Sequence, residues 1–190
     1  MSIGGGVVEK FQKPDFRKVV VSIPRQKKVV VAEAHTNLTN MLVNNPEHLL
    51  IYTDRSQNNA GSNGIGLVAT HTQHPHKEAQ WNLGRHIEVY DAELSGILQA
   101  TLYARQWLED NTNTNTLWIF IDNQAAIRRC TKHPPSLGQD LSLQIIENLP
   151  TILAMRLNTR VNIQWVPGHA DVLGNEMADR CAKQAAELPQ

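Results

Sequence analysis

From residue 48 onward the chain alternates apolar runs of strand length with longer stretches whose apolar positions recur at helical spacing. "HLLIYTD" reads as a buried strand, and "GIGLVATHT" and "AQWNLGRHIEV" as two more, joined by the turn-rich "QHPHKE". In "DAELSGILQATLYARQWLED", Leu94, Ile97, Leu98, Leu102 and Trp107 or Leu108 share one helical side. "LWIFID" is a further apolar run. "NQAAIRRCTK" reads as a short helix closed by His133, Pro134 and Pro135, and "SLGQDLSLQIIENLPTILAMRL" as a longer helix disturbed by Pro150. "RVNIQWV" gives a fifth strand and "DVLGNEMADRCAKQAAEL" a terminal helix. The order β-β-β-α-β-α-α-β-α predicts an α/β fold, a mixed sheet covered by helices.

Residues 1–47 read as an N-terminal extension and residues 48–188 as the domain. "MSIGGG" should be flexible, and two short Val-rich runs follow, broken by Pro24 and by charges. Residues 32–43 fit a short helix with Ala34, Leu38, Met41 and Leu42 on one side. A hydrophobic content of 41% suffices for a real core. No run approaches the ~18 apolar residues of a membrane span, and the first residues lack the apolar block of a secretory leader. Cys130 and Cys181 lie far apart and form no CxxC pair, which points to free thiols in a reducing, intracellular setting.

Net charge is zero but unevenly placed. Residues 1–28 hold seven Lys/Arg against Glu9 and Asp15, a net of +5, whereas residues 48–190 hold eleven basic and fourteen acidic residues, a net of −3. The basic arm is either a solvated tail or a source of non-specific attraction to nucleic acid.

Two apolar strands each deliver a carboxylate at their C-terminal end, Asp54 and Asp122. An isolated charge removed from water costs several kcal/mol unless it is paired or bound to a metal. Asp is also common in turns, so one such residue means little, but two at equivalent places are harder to dismiss in an α/β sheet, whose sites form at the carboxyl ends of strands. Glu93 stands in the first turn of a helix, where the dipole favours it, and Glu176 and Asp179 share a helix face. Hard divalent ions take oxygen ligands, and converging carboxylates are stable together only around cations.

Taken together, "YTDRS", "AEL", "IDNQAAI" and "WVPGHADVLGNEMAD" resemble the ribonuclease H family, over roughly residues 48–188 and in the order of elements. The likeness is closest to type 1 ribonuclease H and to the ribonuclease H domains of retroelement polyproteins. It implies a ribonuclease H-like five-stranded mixed sheet flanked by helices. It also implies hydrolysis of the RNA strand of RNA–DNA hybrids with two Mg²⁺ or Mn²⁺ ions. By position, Asp54, Glu93, Asp122 and Asp179 are the implied metal ligands, with Asp54 central. His169 is the implied mobile histidine and Glu176 an accessory carboxylate. The wording of the motifs is most like fungal non-LTR retrotransposons, where such a domain follows a reverse transcriptase.

Family members usually carry Gly where this chain has Arg55. Arg there adds a phosphate contact, or displaces the substrate, or is strained if the backbone needs positive φ. Ser56, Asn58, Asn63 and Gln124 are polar residues placed to meet substrate, each also an ordinary turn or cap residue. Arg128, Arg129 and Lys132 form a basic cluster, either a solvated helix end or a phosphate contact. His71, His74 and His76 read as a solvated loop. Two rivals remain: a DNA-strand nuclease or transposase of the same superfamily, and a catalytically silent binding or structural module.

Overall fold

The computed structural model describes residues 19–131 and 139–189. The expected flexible "MSIGGG", the His133-Pro134-Pro135 break and Lys132 lie outside these. The order is β1 (Val19–Ser22), α1 (Lys28–Leu42), β2 (His48–Gln57), β3 (Asn63–His71), β4 (His74–Gly84), α2 (Val89–Asp110), β5 (Thr116–Ile121), α3 (Gln124–Thr131), α4 (Gln139–Ala154), β6 (Arg160–Trp165) and α5 (Leu173–Glu187). They form the expected mixed sheet, in the order β1-β6-β5-β2-β3-β4. Neighbours among β1, β6, β5 and β2 are parallel; β3 and β4 are antiparallel additions.

The sheet has six strands rather than five. The extra one is β1, whose Val19–Ser22 pairs with Val161–Gln164. Three valines and a serine are too short a run to announce a strand in sequence, and they become one because β6 offers an open edge.

Side chains alternate across the sheet. Leu49, Ile51, Leu117, Ile119, Ile121, Val161 and Ile163 enter the larger core beneath α2 and α4. Leu50, Tyr52 and Phe120 enter the smaller one beneath α5, against which Ala32 and Leu42 of α1 also pack. Each large apolar side chain fully buried here contributes on the order of 1.5–3 kcal/mol. The extension helix begins four residues earlier than expected, at Lys28, and shows another face. Its buried residues are Val31 and His35, while Met41 is 71% exposed. A histidine holds the inward position because its Nε2 lies 3.0 Å from the Tyr52 hydroxyl.

Two further expectations change. "QHPHKE" is not a loop: β4 starts at His74, directly paired with His71. Pro75 is tolerated because β4 is an edge strand. His71 is accordingly buried, with Nε2 2.8 Å from the Pro46 carbonyl oxygen and its ring against Trp107. Helix α4 continues through Pro150 to Ala154.

Candidate active site

Asp54 does not end its strand. β2 runs on to Gln57, but its pairing with β5 stops at Thr53, opposite Ile121. Asp54 is thus the first residue of β2 without a neighbour on that side, and Asp122 is the first residue beyond β5. The Asp122 main chain is fixed by two contacts: Trp165 Nε1 donates to its carbonyl at 2.9 Å, and Val166 N–H donates to Ile121 O at 3.0 Å.

Glu93 arrives from α2, on the helix's buried stripe with Ile97, Ala100, Ala104 and Leu108. A carboxylate at a position the 3.6-residue period assigns to core is the anomaly the sequence offers. Gly96, one turn on, lets α2 approach β2 closely, since a Cβ there would meet Thr53 Oγ1. Asp179 comes from α5, which reaches the sheet because Gly64 and Gly66 leave room: a Cβ on either would collide with the α5 backbone.

Three of the four carboxylates act electrostatically on Asp54. It is 9% exposed, and its pKa is pushed up to about 8, first by burial and then by the Asp122 charge. Glu93 and Asp179 push the same way, against the Arg55 N–H, which donates to Asp54 Oδ1 at 2.7 Å. Asp122 is also raised, mainly by burial, with Asp179 adding to it and His169 opposing. Glu93 is raised by burial and lowered chiefly by Arg55, whose Nε donates to Glu93 Oε1 at 2.9 Å. Ligand atoms of His169, Glu176 and Asp179 lie within 4.8 Å of one another. His169 (φ 52°) and Asp171 (φ 57°) are the described non-glycine residues with positive φ, a conformation that persists only where the surroundings hold it.

This all-oxygen set, with a carboxylate that burial and then its acidic neighbours drive toward neutrality, fits a hard divalent cation. Gly168 completes the cradle, because a Cβ there would strike Asp122 Oδ2.

Among the other expected contacts, Asn58 and Asn63 face inward. Asn58 turns inward: its Nδ2 donates to Ala186 O at 2.8 Å, and its Oδ1 accepts from Ala60 and Ser62 N–H. Asn63 is buried and donates to Gly84 and Ile87 carbonyls. Gln124 accepts from Arg128, Arg129 lies over the Tyr90 ring, and Ser56 stands on β2 opposite Gly64. Sequence reading passed over two site neighbours. Asn123 hydrogen-bonds Glu93 and caps α3 by accepting from Ala126 N–H. Lys183 Nζ donates to Asp179 Oδ2 at 2.5 Å; its i+4 spacing was the available signal.

The RNase H family profile matches residues 46–187. The chain belongs to the ribonuclease H family. Membership makes it a nuclease, a hydrolase of phosphodiester bonds. Ribonuclease HI of Haemophilus influenzae is 30% identical over 157 residues, covering 76% of this chain and 93% of the relative. Ribonuclease HI of Pasteurella multocida is 30% identical over 152 residues, 73% and 90% respectively. Among solved structures, the fold is similar to the N-terminal RNase H domain of a Mycobacterium tuberculosis protein, solved fused to maltose-binding protein. That match has a TM-score of 0.54 at 21% identity, covering 74% of this chain and 99% of that one. A foamy viral protease–reverse transcriptase solved with an RNA/DNA hybrid gives 0.55 at 15%, covering 87% and 21%. These two likenesses concern fold alone. No helix among the described residues is long and apolar enough to cross a membrane.

Proposed function

We propose that this ribonuclease H family member hydrolyses the RNA strand of RNA–DNA hybrids with two Mg²⁺ ions, Mn²⁺ serving in their place. The observation that carries this is the convergence of Asp54, Glu93, Asp122 and Asp179, from β2, α2, the end of β5 and α5, on a half-enclosed cluster where each raises or feels another's charge. Bound divalent ions would supply positive charge to the attacking water oxygen and to the leaving 3′-oxygen of the RNA. Water adds to phosphorus, the P–O3′ bond breaks, and the products carry a 5′-phosphate and a 3′-hydroxyl.

The chain's own residues divide the work. Asp54, which feels the charges of Asp122, Glu93 and Asp179, would be the central ligand, with those three completing the set. His169, exposed on a loop with positive φ beside Asp179 and Glu176, assists the attacking water or product release. Glu176 is accessory. Arg55, Ser56 and Gln124 stand where a phosphate or 2′-hydroxyl would meet the protein, and Asn58 holds the neighbouring turn. Recognition of the hybrid rests on 2′-hydroxyls and phosphates. We place the domain in a retroelement-type setting, inside the cell and beside a reverse transcriptase.

The test is cleavage of an end-labelled hybrid with Mg²⁺, beside Asp122→Asn. RNA-strand cleavage that falls by more than about a hundredfold in the variant is expected. Cleavage that persists unchanged refutes the assignment. One observation favours a second reading: the Arg55–Glu93 ion pair already gives a proposed ligand a cation. A catalytically silent hybrid-binding module would bind the same probe and leave it intact.

A further inference from the structure

Arg25, Lys27 and Lys28 take no part in the carboxylate cluster, yet topology sets them on its edge of the sheet. Strands β1, β6, β5 and β2 are adjacent and parallel, so their carboxyl ends share one side. Ser22 is level with Gln164, Phe120 and Tyr52, two residues short of Asp54. The chain leaving β1 therefore emerges at the height of Asp54 and Asp122, three strand spacings or roughly 14 Å from β2.

That connection carries Arg25, Lys27 and Lys28, all exposed. None of their side chains forms a hydrogen bond or ion pair with a described residue. They are not on a loose tail, because β1 is paired over four residues and α1 is seated through Val31 and His35. Lys28 lines a groove of about 760 Å³ together with Glu33, His169 and Asp171, so the basic segment and the histidine loop border one surface, on which Lys28 is the cation set against two carboxylates. Three like charges fixed within four residues repel one another, and a polyanionic backbone relieves that repulsion. The domain that would grip the substrate is itself acidic, with a net of −3 over residues 48–190, and needs such a counterweight.

We propose that Arg25, Lys27 and Lys28 form a phosphate-backbone anchor, extending the nucleic-acid surface from the carboxylate cluster along the sheet edge to β1. This rests on reading the cluster as a site that acts on a duplex. Phosphate contacts position without reading sequence, so the anchor raises affinity uniformly and makes it salt-dependent.

The test measures binding of a short fluorescent RNA–DNA hybrid to the full chain carrying Asp122→Asn, which keeps the probe intact. The same chain with Arg25→Gln, Lys27→Gln and Lys28→Gln is compared. At about 50 mM salt the triple variant should bind roughly tenfold or more weakly. Its slope of log affinity against log salt should be shallower by about 2 to 3, at close to 0.9 per phosphate lost. Matching circular dichroism and melting midpoints establish that it is folded, and Arg25→Lys with Lys27 and Lys28 kept should bind as the parent does. Equal affinity and equal slope in the triple variant overturn the anchor. Cleavage by the unaltered chain is scored separately. Cleavage together with unchanged triple-variant binding removes the anchor alone. No cleavage, with binding that still depends on the three residues, removes the catalytic reading and leaves the anchor standing.

Discussion

Arg55 places a permanent positive charge inside the carboxylate cluster, and its Nε contact to Glu93 Oε1 is partly sheltered, the two side chains being 26% and 9% exposed. On the proposed metal site, an ion would have to displace this guanidinium before Glu93 could hold it. Arg55→Gly should therefore bind Mg²⁺ several-fold more tightly by calorimetry and turn over hybrid faster. With Glu93 left uncompensated, its metal-free form should be less stable by about 1–3 kcal/mol, a loss that Mg²⁺ restores. Equal or weaker Mg²⁺ binding, or slower turnover, would count against this. The backbone does not require glycine here, because Arg55 is absent from the described residues with positive φ. Sequence could name Asp54 and Asp122 from two apolar runs meeting carboxylates, but not that Asp54 lies within a strand; a strand that outlasts one neighbour and keeps the other shows only in pairing. Glu93 was reached only through the family resemblance, because a carboxylate near a helix start reads equally as one favoured by the dipole; its place among buried residues shows in the structure. Asn58 and Asn63 were not legible as inward-facing, since their partners Ala186 and Ile87 are set by tertiary contact.

Helix α5 carries Asp179 to the cluster only because β3 has no side chains at Gly64 and Gly66. Gly66 is also the cross-strand partner of Asp54. Its added methyl would meet Ala178 O and Ala182 N, backbone atoms that cannot swing aside. Gly66→Ala should thus cost about 3 kcal/mol or more and, by moving α5, lower cleavage in whatever fraction stays folded. Gly61→Ala is the contrast: nothing lies within 4 Å and only its φ of +82° opposes the change, a cost of about 1 kcal/mol. Chemical denaturation of both variants checks the pair, and similar losses would show that packing against α5 is not what selects Gly66. In sequence "SNGIG" is ambiguous between a loop and a strand, since glycine reports a need for space without saying what fills it. The long elements, α2, α5 and the three central strands, were readable because their periods run over many residues. β1 and the start of β4 were not, because a strand that short, or one containing Pro75, takes its identity from the edge it joins.

At the scale of the molecule, residues 19–44 add a strand to one edge of the sheet and lay α1 over Tyr52 and Phe120, and this union turns on one histidine. His35 is 2% exposed, edge-on to both rings, and its pKa is lowered to about 4 by burial. A depressed histidine is neutral in the fold and takes up its proton more readily unfolded. Its contribution is therefore complete above about pH 6.5 and is lost as pH falls from 6.5 toward 4, by up to about 3 kcal/mol. Asp54 works the other way without metal: its raised pKa favours the fold at low pH and weakens it as pH climbs from about 4 toward 8. The wild-type curve mixes the two slopes. His35→Leu separates them, because Asp54 is common to both chains and the unpaired Tyr52 hydroxyl costs the same at every pH in this window. The stability of wild type minus that of His35→Leu, from urea melts in chelator at pH 7, 5.5 and 4.5, should fall steadily with pH. A constant difference would mean that His35 is reachable by protons in the native state and that α1 is not closed over Tyr52.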